Sequence, residues 1–401
     1  MKRVFLSMLA ISALVFTSCS DDNDNDVKPP VEAPATYAFT GKDGKSNVSF
    51  TGQEARLVMA SELKSALGTN TKTEAQLIEM FKDGKGFAGT VPSNNKSVNE
   101  SGKKLRGTVA SATNSNVDAV ETDELRLKMD GWIKDHATEV YANWNTDAAA
   151  GTAGKLTTGS RTVYVSAKGV EYNQAVAKTL IGSVIADQMI NKYVSQKFID
   201  DNKADHEAGK PYKGDDTKNY TALQHGWDEA YGYLFGLEED PAKPVNSLDD
   251  RKGFLNSYIK SVDNDSKFKG IFDDVYNAFK LGRAAVDAND YELASKQAET
   301  IRASVSKVIG VMAAHYLLKG KGAKDANSLH ALSEAYGFLQ SLRFVEINGQ
   351  QVEKNQIAGT IAMLEADNGL WSITDDQLDQ IASRLGTYFG FTTEDVVSLN
   401  D

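Results

Sequence analysis

The chain has 401 residues, 41% hydrophobic and 25% charged, with a formal charge of -11 at pH 7. This is the composition of a globular protein with a sizeable core, and without a long Lys/Arg cluster the acidic balance excludes nucleic acid as an expected partner. Cys19 is the only cysteine, so disulfides and thiolate metal sites are excluded from the rest of the chain.

Lys2-Arg3, an apolar run from Val4 to Phe16 and then small residues lead up to Cys19. That order is the one a signal peptide needs, and the run is too short to span a bilayer. A lone Cys here is expected to carry lipid, with Phe16-Thr17-Ser18-Cys19 as a relaxed lipobox. Residues 1–19 are read as a lipoprotein signal peptide ending at the lipidated Cys19. Residues 20–35 are read as an acidic, proline-bearing tether. Serine and acidic residues directly after the Cys resemble a surface-export signal. The expected address is therefore the outer membrane, displayed on the cell surface or otherwise held on its periplasmic face.

Residues 36–401 read as one helical domain. Tyr37–Phe39 and Val48–Phe50 alternate apolar and polar residues, which predicts a short extended segment or hairpin that caps the fold. Apolar residues at helical spacing predict helices over 53–67, 73–81 and 121–145. Residues 82–116, rich in Gly, Ser, Asn and Lys, predict a long mobile loop. Residues 148–159 predict a flexible stretch, with a brief extended piece at 162–165. An Ala/Ile/Val-rich helix is expected over 169–199 and a polar connection over 200–218. Further helices are expected over 220–237, 248–262, 268–286, 291–318 and 327–344. A turn at Asn348-Gly349 and three short helices (356–366, 375–385, 393–399) close the chain. The fold class is all-α, a duplicated helical bundle with a short extended N-terminal segment.

The duplication rests on two decapeptides. Residues 225–234 read HGWDEAYGYL and residues 330–339 read HALSEAYGFL, so His225 matches His330 and Glu229 matches Glu334. Four residues apart on a helix, each His and Glu share a face. Gly232 and Gly337 recur at the same place, which predicts a close backbone approach. Imidazole and carboxylate together suit iron(II), zinc or manganese, and four ligands from two helices make a sensible set for one ion. The alternative is a His–Glu contact in each helix that fixes orientation only.

Secondary candidates lie nearby. Glu171 and Gln174 share a face at the start of the 169–199 helix, where the helix dipole alone also favours a carboxylate. Asp187, set among apolar residues, needs a partner if buried. Asp228 has no counterpart in the second decapeptide, where Ser333 stands. Arg283, between apolar neighbours, is suited to neutralise a buried carboxylate. His315 reads as a core residue, His136 and His206 as solvated ones. No HExxH, phosphate-binding loop or GxSxG motif is present.

GVEYNQ at 169–174, the first decapeptide, LGRAAV at 281–286 and HALSEAYGFLQSLRF at 330–344 give the chain its family likeness. It resembles a Bacteroidetes lipoprotein family known as domain of unknown function 4856. More loosely it resembles the imelysin family of iron-regulated lipoproteins, helical bundles with a GxHxxE motif. It departs from that motif, because Leu223 and Ser328 stand where its Gly would be. The looser resemblance implies iron or nutrient acquisition, and an imelysin-like metal-dependent peptidase as a remoter outcome. The leading expectation is a membrane-anchored protein that binds iron, zinc, manganese or a metal-bearing ligand such as haem through the four His/Glu residues. It would serve an outer-membrane uptake system. The rival expectation is a structural or partner-binding lipoprotein without a ligand.

Overall fold

Apolar residues at helical spacing become helices through most of residues 30–399, the part of the chain that this computed structural model describes. The expected lipidation site Cys19 and the acidic run 20–26 lie outside the described residues. Among the described residues, thirteen α-helices run in order: α1 (Thr51–Ala66), α2 (Glu74–Asp83), α3 (Ala119–Asp135), α4 (Tyr172–Leu180), α5 (Gln196–Glu207), α6 (Ala222–Phe235) and α7 (Phe254–Asn264). Then come α8 (Ile271–Asp287), α9 (Tyr291–Lys319), α10 (Ala326–Ser341), α11 (Lys354–Glu365), α12 (Asp375–Phe389) and α13 (Thr393–Val397). The class is essentially all-α. Among the described residues the only sheets are two hairpins, β1 (Gly154–Thr158) with β2 (Arg161–Val165), and β3 (Glu346–Ile347) with β4 (Gln350–Gln351).

Several helix starts are written in the sequence as Thr-x-x-Gln. Thr73, Thr221 and Thr374 each accept from a backbone N–H three residues on, while Gln76, Gln224 and Gln377 reach back to the cap. The 29-residue α9 is the central strut, with α8, α10 and α12 against it. On the other side, α4 lies between α10 and α1, and α1 also meets α6. Residues from Val31 onward form one unit.

Beyond Leu180, α4 continues as wide turns at Ile181–Ala186 and Met189–Tyr193. The Ser341 hydroxyl of α10 enters the helix there. It donates to the Lys178 carbonyl at 2.5 Å and accepts from the Gly182 amide at 2.8 Å. Those two groups bond directly in an undisturbed α-helix, so an inserted side chain accounts for the widening. A Cβ at Gly182 would lie 2.3 Å from the Ser341 Cα, so only glycine lets the helices meet here.

Four sequence expectations change. Residues 82–116 are not a free loop: Phe87, Val91, Val98, Leu105 and Val109 are buried. Glu62 holds the loop by accepting from the amides of Ala88 and Gly89. The stretch expected to be flexible at 148–159 supplies β1. The helix expected to reach 199 stops at Tyr193, and Ser195 caps α5, which occupies half of the expected polar connection. Only Ile199 and His206 of α5 are buried, too few to show as a periodic stripe. At the N-terminal end, Tyr37 and Phe39 lie in the core, with the Asn47 amide on the Phe39 carbonyl at 3.1 Å.

Candidate functional site

The Thr221 cap starts α6 and turns Asp228 wholly inward. Its carboxylate accepts from the Tyr37 hydroxyl at 2.8 Å, the Ser49 amide at 3.2 Å and Arg283 Nε at 3.1 Å. Burial raises the Asp228 carboxyl to about 6, while Arg283 pulls it down. Arg283, also fully buried, is held by Asp287 as well. Arg283 therefore neutralises a buried carboxylate.

His225 and Glu229 lie beside Asp228 on α6. His225 Nε2 is 3.8 Å from Glu229 Oε2, and Gln53 of α1 donates to Glu229 Oε1 at 2.9 Å. The His225 ring is flanked by Tyr212 at 4.4 Å and Tyr220 at 4.9 Å. Burial first, against the pull of Glu229, lowers the His225 pKa, so the ring is neutral at pH 7. Its Nδ1 and the Oε1 of Gln53 are buried without a hydrogen-bond partner. The Glu229 side chain is 15% exposed, so solvent reaches this cluster.

Cations converge on it. Lys103, Lys192, Arg56 and Lys213 lie within electrostatic reach of one another; Glu229 is the carboxylate facing both lysines 103 and 192, with Asp187 adding to Lys192 alone. Burial, then Arg56, lowers the pKa of Lys103. Burial also lowers that of Lys192. The end of Lys103 lies over the first turn of α1, 2.7 Å from where a Gly52 Cβ would stand. Phe50, the N-cap residue of α1, has no side chain able to cap it. The positive end of a helix thus faces the same basin.

His330 and Glu334 on α10 have different company. His330 Nδ1 lies 2.6 Å from Glu171 Oε2, and its Nε2 is 3.6 Å from Glu334 Oε2. Glu334 pairs with Lys178 at 2.8 Å, and Lys178 also donates to Gln174 at 3.0 Å. Lys178 is only 3% exposed; burial is the largest influence and opposes its charge, but Glu334 and Tyr258 together outweigh it and its pKa is raised. Lys178 in turn, followed by burial, lowers the neighbouring Lys64 to about 8. Glu171 and Gln174 therefore join the second decapeptide, as Asp228 and Arg283 join the first.

The two surroundings correspond. The Ser49 amide, just before α1, donates to Asp228, and the Glu171 amide, just before α4, donates to Ser333, the residue matched with Asp228. Gly337 comes close to the α4 backbone, a Cβ there lying 2.7 Å from the Ala175 carbonyl, and Gly232 would meet Phe50 at 2.3 Å. The expected close backbone approach is present at Gly337, whereas at Gly232 the close neighbour is the Phe50 side chain. The expected gathering of all four His/Glu residues round one ion is not: each pair has its own partners. Among the described residues no three His, Cys, Asp or Glu side chains are placed to hold a metal ion.

The remaining candidates are anchors. Asp187 is buried, accepts from the Ala112 amide at 2.9 Å and from Asn191 at 3.1 Å, and is raised by burial to about 6. His315 is a core residue, with Nδ1 2.7 Å from the Val396 carbonyl. His136 and His206 are buried rather than solvated. His206 meets Thr221 and the Val286 carbonyl, and His136 meets the Thr69 carbonyl at 3.2 Å. Their charged sequence neighbours sit on the opposite helix faces. Sequence reasoning missed Lys103, Lys192, Arg56 and Gln53, because they come from three separate places in the chain and carry no motif.

A family model described as domain of unknown function (DUF4856) matches residues 34–392. No curated protein and no solved structure matches the chain.

Proposed function

Because the chain belongs to the DUF4856 family, a domain of unknown function, its role is read from its own geometry, and we propose that it is a lipid-anchored envelope protein that captures a small anionic ligand in the His225–Glu229 basin. One observation carries this. In a chain of charge -11, Lys103 and Lys192 each feel the other, Arg56 and Lys213, against Glu229 and, for Lys192, Asp187, so cations outnumber carboxylates round Glu229. At about 8 Å and an effective dielectric near 20, each cation contributes roughly 2 kcal/mol toward an anion. The α1 N-terminus adds to the same field.

The same field repels a bare metal ion. A metal that reaches this basin arrives inside an anionic chelate, the form in which a carboxylate-rich siderophore carries iron. This reading keeps the iron-acquisition role that the imelysin resemblance implies. The anchor at Cys19 and display on the outer membrane support it from the sequence side. The His330–Glu334 cluster serves structure: Glu171 and Lys178 already satisfy its His and its carboxylate.

Calorimetric titration of the full chain with ferric citrate, citrate alone and zinc chloride tests the proposal. Binding of ferric citrate or citrate, with none of zinc, is expected. Zinc binding with no binding of either anion contradicts it.

A further inference from the structure

The connection between α5 and α6 brings two side chains to the His225–Glu229 basin. The Tyr212 ring lies 4.4 Å from that of His225, and Lys213 is within electrostatic reach of His225, Lys103 and Lys192. The loop is pinched at its base, where the Lys210 amide donates to the Asp205 carbonyl at 3.0 Å and the Tyr212 amide to the Tyr220 carbonyl at 2.9 Å. Asn219 ties its far end, donating to the Asp43 carboxylate at 3.0 Å and the Ser46 carbonyl at 3.2 Å. Between those ties residues 213–218 are exposed. Their backbone bonds stay inside the loop: Gly214 to Pro211, Asp215 to Tyr212 and Lys218 to Asp215. A segment held at its ends and by short-range bonds between them opens at little cost.

Lys213 keeps its place against two opposing effects. Its backbone is left-handed, with φ +59°, and Gly214 follows at +68°. A residue with a Cβ is disfavoured there, and strain of this kind gathers at ligand clamps. Its ammonium is also directed toward two like charges, Lys103 and Lys192, with Glu229 as the carboxylate between them. The Tyr212 face, 5.0 Å from Lys213 Nζ, offsets part of this. An anion in the basin reverses the second effect, because three ammonium groups that repel one another are then drawn to one charge. Such a ligand favours the closed arrangement over the open one, which is what couples a loop to its ligand.

Resting on the reading of this basin as an anion site, we infer that residues 211–218 are a lid that opens to admit the anion and closes on it, with Lys213 as the cation the lid carries to the ligand.

Hydrogen exchange of the full chain with and without citrate, read by mass spectrometry, tests this alongside calorimetry on the same samples. Citrate is expected to slow exchange across 212–218 by about tenfold and to leave the second cluster, 326–341, unchanged. Gly214→Val places a Cβ where nothing lies within 4 Å, so it strains the lid backbone alone and keeps every charge. It should weaken citrate binding about fivefold or more. Lys213→Gln should weaken it about tenfold. Citrate bound without protection of 212–218, or bound with full affinity by either variant, overturns the lid and leaves the anion site standing. No citrate binding by calorimetry overturns both.

Discussion

Glu171 Oε2 sits 2.6 Å from Nδ1 of His330, while the matching nitrogen of His225 has no carboxylate and the ring meets the Ser49 backbone instead. The chain thus closes one imidazole site with a carboxylate and leaves its counterpart without one. That contrast is the reason a ligand is proposed at the first cluster and not at the second.

The closed cluster predicts a stability effect. Glu334→Gln strips Lys178 of its carboxylate in a site 3% exposed. An unpaired buried ammonium costs about 3–5 kcal/mol. Urea unfolding should show that loss, and Lys178→Met combined with Glu334→Leu should recover about half of it or more. A single variant as stable as the parent would show that the pair contributes nothing.

Two glycines separate packing from propensity. Gly337→Ala would put a Cβ 2.5 Å from the Lys178 Cβ and 2.7 Å from the Ala175 carbonyl. It should destabilise by about 1–3 kcal/mol. Gly359→Ala, on exposed α11 with nothing within 4 Å, should stabilise by about 0.5–1 kcal/mol. Melting temperatures moving the same way for both would contradict the close approach of α10 to α4.

His136 sets an acid limit. Burial lowers its folded-state pKa to about 4, below the usual 6.5, so the unfolded chain takes up this proton first. Its contribution is fully present above about 6.5 and is lost as pH falls toward 4, on the order of 1 kcal/mol per pH unit. Asp187 and Asp228, raised to about 6, act in the opposite sense over much of that range. The difference between the parent and His136→Gln, measured by urea unfolding from pH 7 to 4.5, isolates the histidine. A difference that does not change with pH would refute this.

The helices were legible because their apolar faces are periodic. Strand β1 and helix α5 were not: β1 is Gly/Thr-rich, and α5 buries only Ile199 and His206. The decapeptides lie on α6 and α10 and carry Glu229, Glu334 and their histidines. Glu171, Gln174, Asp228 and Arg283 also fell beside them. What a linear reading could not supply was the separation of the two pairs. It also could not show the meeting of Arg56, Lys103, Lys192 and Lys213, residues joined only by folding. Exposure failed for His136 and His206 for the same reason, since charged neighbours in sequence need not be neighbours in space.

Charge reversal in the basin tests the central claim most directly. Lys103→Glu combined with Lys192→Glu should weaken citrate or ferric citrate binding, followed by calorimetry at low salt, by at least about 100-fold, from roughly 2 kcal/mol for each charge. His330→Ala should leave that affinity unchanged. An affinity indifferent to the two lysines, or lost on replacing His330, would contradict the account.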